Sequence, residues 1–182
     1  NSINVFDDNF KNKKFIKKLN SKITLNRADN LIKYKLKNSK ALITFGNSKL
    51  REKYKKILTK NKINLFKFIH SRSYVSNTAK VNNGSVICPM CVIGSYAEIK
   101  ENVYINSGVL VGHHCVIKKN SILSPNSFLG GNSFVGSNNF IGAGTILFPE
   151  KKIANNSKIS AGSVITKNIP KNSFAFGNPA IF

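Results

Sequence analysis

The adjacent pair His113-His114 is the part of this chain best suited to chemistry, and the one further histidine is His70. Histidine titrates near pH 6.5, so a neutral imidazole is available to accept a proton at neutral pH. A positioned base of this kind typically accelerates a reaction by about 10²- to 10⁴-fold. Because His113 follows Gly112 at a predicted turn, we expect its ring to point outward into a cleft. His113 is therefore the candidate general base, and a surface histidine without a role is the alternative.

The same residue types argue against a catalytic metal. A zinc enzyme needs three protein ligands at suitable spacing, and the two adjacent histidines are expected to point in different directions. Cys88 and Cys91 form an isolated Cys-x-x-Cys with no second pair to complete a zinc site. Cys91 and Cys115 are interpreted as buried thiols of a reducing compartment. No metal site is predicted.

A six-residue period positions these side chains. Neither an α-helix, which repeats near 3.6 residues, nor an ordinary strand, which repeats near 2, explains it. The period predicts a parallel β-helix with three hexads per coil, in which a bulky residue and a small residue four positions later both point inward. The aliphatic positions, seventeen out of seventeen, are Ile69, Val75, Val81, Ile87, Ile93, Ile99, Ile105, Val111, Ile117, Leu123, Leu129, Val135, Ile141, Leu147, Ile153, Ile159 and Ile165.

Five glycines directly follow an aliphatic position of this repeat: Gly94, Gly112, Gly130, Gly136 and Gly142. Each falls where the β-helix must turn a corner. Glycine accepts the positive φ of a sharp turn without steric cost. We therefore expect left-handed backbone at these five residues.

The first 68 residues are not repetitive and predict a different kind of structure. Residues 1–8 form a predicted strand ending in two acids, and a Lys-rich, weakly helical stretch follows to about Asn38. A buried strand at 41–45, a turn at Gly46-Asn47-Ser48, a helix at 49–60 capped by Asn47 or Ser48, and a strand at 64–69 complete it. This succession predicts a piece of an α/β, Rossmann-like domain over residues 1–68, followed by the β-helix and its tail over residues 69–182. Because the chain begins at Asn1 without Met, we expect further residues upstream.

The charge of the chain limits its classes of partner. The net charge is +22, and residues 1–68 hold 19 Lys or Arg against 4 acids, whereas residues 69–182 hold 10 against 3. A nucleic-acid binder would interleave this charge with stacking aromatics or a known reading motif, and neither is found. The sequence also has no apolar run near the roughly 20 residues that cross a bilayer. We predict a cytoplasmic protein without nucleic-acid partner or membrane insertion, for which phosphate-bearing small molecules are plausible ligands.

Several motifs resemble one family. The segment Asn106-Ser-Gly-Val-Leu-Val-Gly-His113-His-Cys-Val-Ile117 looks like the active-site segment of bacterial hexapeptide-repeat sugar acetyltransferases of the sialic-acid and bacillosamine pathways. The acids Asp7-Asp8, the turn 45–51, the entry 68–72 and the closing Gly177-Asn-Pro-Ala180 are similar to the same family. The resemblance covers nearly the whole chain and implies a left-handed parallel β-helix.

The resemblance also implies a reaction, two substrates and an assembly. The reaction is N-acetylation of a UDP-linked amino sugar with acetyl-CoA as co-substrate, by a homotrimer that holds the coenzyme between neighbouring subunits. His113 would be the base, supported by His114 and Asn106. By position, the nucleotide sugar would contact Asp7, Asp8, Gly46, Asn47 and Ser48, and acetyl-CoA would contact Gly131, Gly142, Ala143, Ala161, Gly162 and Lys167.

The chain departs from the family pattern at two positions. His114 stands where the family commonly has an acid that orients the catalytic imidazole, so we expect another acid or a backbone carbonyl to fix its tautomer. Ile122 replaces a further histidine near the acceptor. Asn106 matches an acceptor-side asparagine, but a corner residue that favours positive φ is an equally good interpretation.

Three alternatives remain open at this point. The acceptor could be a hydroxyl, which would make the protein a sugar or sialic-acid O-acetyltransferase. The chain could be a non-catalytic paralogue that binds a sugar nucleotide without turnover, since the acid after His113 is missing. A zinc hydratase of the γ-carbonic-anhydrase kind uses the same prism, but it needs three converging histidines.

Overall fold

The computed structural model describes residues 2–6, 22–26 and 39–182. Backbone contacts divide the chain into two units, Asn1–Ser39 and Lys40–Phe182. In the first unit, β1 (Ser2–Phe6) pairs in parallel with β2 (Lys22–Asn26). The second strand lies in the segment for which a weak helix was predicted, and that prediction is wrong at these five residues. Their β-branched Ile and Thr favour a strand.

The α/β, Rossmann-like domain predicted over residues 1–68 stays a prediction, since the structure describes only part of that segment. In the second unit, β3 (Lys40–Ala41) pairs in parallel with β4 (Asn64–Leu65), and α1 (Ser48–Lys60) connects them. The strand predicted over 41–45 is thus reduced to its first residue. Asn47 caps the helix as predicted, because its Oδ1 accepts a hydrogen bond from the backbone N–H of Leu50 at 3.1 Å. Among the described residues no helix has the length and apolarity needed to cross a membrane.

From residue 68 onward the chain forms a parallel β-solenoid of very short strands. Each strand between Phe68 and Leu147 pairs in parallel with the strand 18 residues later, as Ile99 does with Ile117, so three hexads complete one coil. In the last coil the spacing is 16 residues, as between Lys158 and Phe174. The strands are β5 (Phe68–Ile69), β6 (Tyr74–Val75), β7 (Lys80–Val81), β8 (Val86–Ile87), β9 (Val92–Ile93), β10 (Glu98–Ile99), β11 (Tyr104–Ile105), β12 (Leu110–Val111), β13 (Val116–Ile117), β14 (Ile122–Leu123), β15 (Phe128–Leu129), β16 (Phe134–Val135), β17 (Phe140–Ile141), β18 (Ile146–Leu147), β19 (Lys152–Ile153), β20 (Lys158–Ile159) and β21 (Val164–Ile165).

These strands form three sheets that are the faces of a prism. Face A is the eight-stranded sheet β5-β8-β11-β14-β17-β20, continued by β22 (Phe174–Gly177) and β23 (Ala180–Ile181). Face B is the six-stranded sheet β6-β9-β12-β15-β18-β21, and face C is the five-stranded sheet β7-β10-β13-β16-β19. β23 runs antiparallel to β22 and closes the tail.

The core confirms the predicted pattern of inward residues. The aliphatic positions from Ile87 to Ile165 are buried, as are most of the small residues four positions after them. Buried serines are hydrogen-bonded, for example Ser121, whose Oγ donates to Gly136 O at 2.6 Å. The exception is the first coil, where Ile69 is 37% exposed. A terminal coil has a neighbour on one side only, so its apolar positions are incompletely covered.

The prediction that these five glycines have left-handed backbone is wrong. Positive φ occurs three residues after the buried aliphatic, not directly after it, and the residue there is usually Asn or Gly. The glycines that directly follow the aliphatics are needed for another reason. A Cβ on Gly112 would lie 2.7 Å from the backbone N of Gly131, and one on Gly142 would lie 2.4 Å from the N of Ala161. These glycines let successive coils approach each other.

We call the corner between faces C and A the Asn edge, which comprises residues 82–85, 100–103, 118–121, 136–139 and 154–157. A ladder of side-chain amides stabilises this corner. Each amide Nδ2 donates to the Oδ1 of the asparagine one coil later, at 2.8 to 3.2 Å. Every member has positive φ, which asparagine tolerates. The ladder consists of Asn102, Asn120, Asn138, Asn156 and Asn172.

A buried arginine from α1 begins this ladder. Arg51 is fully buried, and its Nη2 donates to Asn102 Oδ1 at 2.9 Å and to Gly84 O at 3.2 Å, while its Nη1 donates to Ile43 O. Burial lowers the pKa of Arg51 to about 10, and Tyr104 partly opposes this, so the guanidinium is charged at neutral pH. The hydrogen bonds join the helix to the first coils of the solenoid.

We expect the ladder to contribute measurable stability. Asn120→Ala removes its amide hydrogen bonds and places alanine in left-handed backbone, which should lower the free energy of unfolding by about 2–4 kcal/mol. Asn120→Gly removes the same bonds without the backbone cost and should be about 1 kcal/mol milder. Urea unfolding followed by circular dichroism measures both. Asn126→Gly, at an exposed left-handed position of another corner, is the control, and an equal loss there would contradict the ladder.

Candidate functional site

The predicted base lies at the corner between faces B and C, which we call the His edge (76–79, 94–97, 112–115, 130–133, 148–151 and 166–168). His113 and His114 occupy the turn between β12 and β13, and both are exposed, as predicted for His113. Hydrogen bonds to both neighbouring coils hold this turn. The N–H of His114 donates to Ser95 O at 2.8 Å, and the N–H of Asn132 donates to His113 O at 2.9 Å.

The two imidazoles face each other, so the expectation that they point in different directions is wrong. Their Nδ1 atoms are 3.1 Å apart, and the ring planes are nearly perpendicular at 84°. The physical reason is the left-handed backbone of His114, whose φ is +58°. Consecutive side chains alternate between two sides only in extended backbone. A hydrogen bond between the Nδ1 atoms requires that one ring donates and the other accepts.

The ring of His113 lies against the main chain of the next coil. A Cβ on Gly131 would be 2.4 Å from His113 Nε2 and 2.6 Å from Cε1. Only glycine leaves this space for the imidazole. Gly131 was predicted as a coenzyme contact, and the structure places it directly beside the candidate base.

The sequence analysis missed Tyr96. It lies one coil before His114, at the equivalent corner position, and the two rings stack with centroids 5.0 Å apart and planes inclined by 28°. The 18-residue spacing between them is the signal that could have found it. The predicted three hexads per coil already contain this spacing, but the stacking also depends on the orientation of both rings, which the structure alone gives.

The other predicted contacts lie on a different corner, between faces A and B, which we call the Gly edge (88–91, 106–109, 124–127, 142–145 and 160–163). Gly162 N donates to Ala143 O at 2.8 Å, which stacks these two small residues of successive coils. Gly142 N donates to Ile159 O at 3.0 Å, so this amide is occupied within the solenoid. No atom lies within 4 Å of a Cβ built on Gly144 or Gly162, so this edge is open.

Asn106 also lies on the Gly edge and not beside His113. Its Oδ1 accepts a hydrogen bond from Ser107 N at 2.8 Å. Its backbone is not left-handed; the positive φ of this corner falls on Gly108. The interpretation of Asn106 as a positive-φ corner residue is therefore wrong, and its predicted role toward the acceptor stays a prediction.

The remaining predicted residues are spread over the chain. Lys167 is exposed after β21 and occupies the His-edge position three coils beyond His113. Asn47 and Ser48 lie at the start of α1, where Asn47 caps the helix and Ser48 O accepts from Asn120 Nδ2 at 3.2 Å. Gly46 beside them is exposed. The acids at positions 7 and 8 lie outside the described residues.

Face B, which separates the His edge from the Gly edge, carries a row of exposed apolar side chains. Its outward residues are Tyr74, Val92, Leu110, Phe128, Ile146 and Val164, of which all but the last are exposed. Face C differs, because its outward residues include Lys80, Glu98 and Lys152. A contiguous apolar face of this kind is typical of a protein interface.

The described residues do not form a metal site. No group of three or more His, Cys, Asp or Glu residues in that part of the chain could hold a metal ion. Cys91 and Cys115 are buried free thiols, as predicted, and burial raises the pKa of both. The third histidine needed for a zinc hydratase is not present beside His113 and His114.

Comparison with known proteins places this geometry in context. Residues 96–131 match the family described as bacterial transferase hexapeptide (six repeats). The acetyltransferase domain of PglB from Neisseria gonorrhoeae FA1090 is 24% identical, with 97% of this chain and 84% of that chain covered and a TM-score of 0.87. It has also been solved in complex with acetyl coenzyme A.

Two further solved structures are similar over most of the chain. PerB from Caulobacter crescentus, in complex with CoA and GDP-perosamine, is 24% identical, with 90% and 80% of the two chains covered and a TM-score of 0.84. WeeI from Acinetobacter baumannii AYE is 23% identical, with 97% and 83% covered and a TM-score of 0.85.

These similarities confirm the predicted fold class in its main part, a mainly β, parallel solenoid of the left-handed β-helix type. The predicted resemblance is confirmed in the repeat and in the fold. Residues 96–131 therefore match a hexapeptide repeat, and the chain has the β-helix fold of the PglB acetyltransferase domain, PerB and WeeI.

Proposed function

We propose that the protein is an acetyl-CoA-dependent acetyltransferase that N-acetylates a nucleotide-linked amino sugar in surface-glycan biosynthesis. The observation that carries the proposal is the exposed imidazole of His113, which is engaged at Nδ1 and lies against Gly131. The fold supports it, since the similar structures include ones holding acetyl coenzyme A, or CoA with GDP-perosamine. A uridine nucleotide is predicted from the family resemblance, and the ligand of PerB indicates that the fold is not restricted to uridine.

In this proposal His113 Nε2 removes a proton from the amine of the acceptor. The amine nitrogen forms a bond to the carbonyl carbon of the thioester, and the carbonyl oxygen becomes an oxyanion. The tetrahedral intermediate collapses by breaking the C–S bond, and the proton passes from His113 to the CoA thiolate. Main-chain N–H groups at the Gly131 corner stabilise the oxyanion, because fixed donors aimed at developing charge are the largest single source of catalysis in such sites.

The positions of the two edges support a homotrimer. His113, Gly131 and Lys167 lie along the His edge, whereas the small residues proposed to admit the pantetheine arm lie along the Gly edge, on the far side of face B. Neighbouring copies that pack along the apolar face B bring the His edge of one copy to the Gly edge of the next. Acetyl-CoA then lies in the groove between them, with Lys167 near a coenzyme phosphate. The small residues are Gly142, Ala143, Ala161 and Gly162.

The nucleotide sugar is proposed to bind near the start of α1. Gly46, Asn47 and Ser48 supply main-chain and small side-chain contacts, and Asp7 and Asp8 are proposed to contact the nucleoside. Asn106 of the Gly edge contacts the acceptor sugar. Ligands of parallel α/β sheets commonly bind at the carboxyl ends of the strands, and positions 7 and 8 directly follow β1 in the sequence.

The first test removes the base. His113→Ala should lower kcat by about 10²- to 10⁴-fold, because it deletes the proton acceptor. Release of free thiol from acetyl-CoA with a panel of UDP- and GDP-linked amino sugars and O-acetyl acceptors measures it. Binding of CoA by calorimetry should be retained, and His70→Ala is the control for loss of a histidine elsewhere. Equal thiol release by wild type and His113→Ala would contradict the assignment, and no release by the wild type with any acceptor would contradict the activity.

The second test displaces the base without removing it. Gly131→Ala places a Cβ where His113 Nε2 lies. The imidazole tip can rotate away, so kcat should fall by about 10²-fold while the urea midpoint changes little. Gly136→Ala is the matched control, because its Cβ would meet the backbone of the next coil at 2.8 Å. That variant should lose stability but keep its specific activity, and the reverse pattern would contradict this role of Gly131.

The third test concerns the trimer. Phe128 and Phe134 are outward aromatic residues of consecutive strands, but Phe128 lies on the apolar face B and Phe134 lies on face C beside Lys118. Phe128→Lys should convert the trimer to single chains and abolish thiol release, because a buried unpaired charge is costly. Phe134→Lys should remain trimeric and active. Light scattering coupled to size exclusion gives the mass, and a wild-type protein that elutes as a single chain would exclude the assembly.

A further inference from the structure

Tyr96 has no part in the function proposed above, yet it stacks on the residue that contacts the base. We infer that Tyr96 and His114 form a positioning unit, in which His114 Nδ1 accepts a hydrogen bond from His113 Nδ1–H and leaves His113 Nε2 unprotonated. A neutral imidazole thereby does the work of an orienting carboxylate. The inference rests on the proposed function only for its kinetic consequence, since the tautomer of His113 is a property of the free protein.

The two imidazole rings lie close together. The Nδ1 atoms are 3.1 Å apart, and two such atoms this close share one proton. If His114 donates, His113 carries its proton on Nε2 and cannot act as a base there. If His113 donates, its Nε2 has a free lone pair beside Gly131. The second arrangement is the one that is competent for proton transfer.

In the described part of one chain, neither imidazole has a carboxylate as a competing ion-pair partner. Among residues 39–182, neither imidazole forms an ion pair with a carboxylate; the described ion pairs are Lys55–Glu101 and Lys100–Glu98. Within one chain, no carboxylate of residues 39–182 therefore forms an ion pair with His113. From the sequence we expected another acid or a backbone carbonyl to fix the tautomer of His113. In this inference His114 fixes it instead.

Tyr96 and His114 have a backbone conformation that is uncommon for their residue types. Most left-handed corner positions of the described solenoid are Asn or Gly, and the exceptions are Met90, Tyr96, His114 and Glu150. Tyr96, with φ +59°, and His114, with φ +58°, are the two exceptions that occupy equivalent positions of successive coils. Left-handed backbone costs a larger residue roughly 1–2 kcal/mol. Conformations of this kind concentrate at functional sites, where the surrounding structure enforces them. Two successive coils that both accept this cost at the same corner indicate a selected pair of side chains.

The coil before Tyr96 holds the backbone that carries the stacking ring. Tyr96 N donates to Thr78 Oγ1 at 3.0 Å, and Thr78 Oγ1 lies 3.0 Å from Ser76 Oγ. The Tyr96 ring covers one face of the His114 ring, with centroids 5.0 Å apart. Stacking fixes the plane of His114, and the plane fixes the direction of its Nδ1 lone pair toward His113.

The tautomer is tested directly by nuclear magnetic resonance of the full-length protein labelled with ¹⁵N-histidine. In wild type, His113 should be protonated at Nδ1 and His114 at Nε2 at a pH where both are neutral. His114→Asn keeps an acceptor and His114→Gly removes it, and both residues tolerate positive φ. His113 should stay protonated at Nδ1 in His114→Asn and shift toward Nε2 protonation in His114→Gly. A wild-type His113 protonated at Nε2 would overturn the inference.

Kinetics supply the second readout. His114→Gly should lower kcat by about 10- to 100-fold with KM for acetyl-CoA unchanged, and His114→Asn should restore most of it. Tyr96→Asn, which tolerates the backbone but lacks the ring, should lower kcat by a smaller factor, and Tyr96→Phe should behave like wild type. Full activity of His114→Gly would overturn the inference. If wild type shows the expected tautomer but transfers acetyl to no acceptor, the proposed function fails and the positioning unit stands.

Discussion

The 18-residue backbone register is the constraint on which the rest of this structure depends. Because each strand from β5 to β18 pairs with the strand three hexads later, each corner residue of these coils has a fixed neighbour about one strand spacing away. Side chains at equivalent positions therefore form ladders along the prism. On the Asn edge the ladder is a chain of amide hydrogen bonds that begins at Arg51, a buried guanidinium held by carbonyl and amide oxygens. Hydrogen bonds of this kind polarise one another and keep the coils in register.

The same register gives each edge and face a different use. The Asn edge joins α1 to the solenoid, the His edge carries an exposed imidazole, and the Gly edge offers small residues with open space beside them. The His edge and the Gly edge are parted by face B, so within one chain the base and the small residues do not meet. The apolar face B between the two edges is the surface along which the proposed trimer would pack.

Local rules are broken where the proposed chemistry lies. Tyr96 and His114 have left-handed backbone at positions that Asn and Gly usually occupy, and the imidazole of His113 needs the missing side chain of Gly131. Natural sequences violate local preferences mainly at functional sites. The remainder of the solenoid mostly follows the preferences, with buried aliphatics, hydrogen-bonded serines and asparagine at most tight corners, although Met90 and Glu150 also have left-handed backbone.

The sequence by itself determined which residues face the core, where α1 begins and that His113 is exposed. These features depend on spacing and capping within a few residues, which a linear pattern contains. The tertiary structure alone decided the corner position that takes positive φ, the burial of Arg51, the stacking of Tyr96 on His114 and the location of Asn106 on a different edge from His113. Each of these depends on atoms a full coil or more apart in sequence, whose contacts are fixed only when the coils stack and their side chains choose a direction.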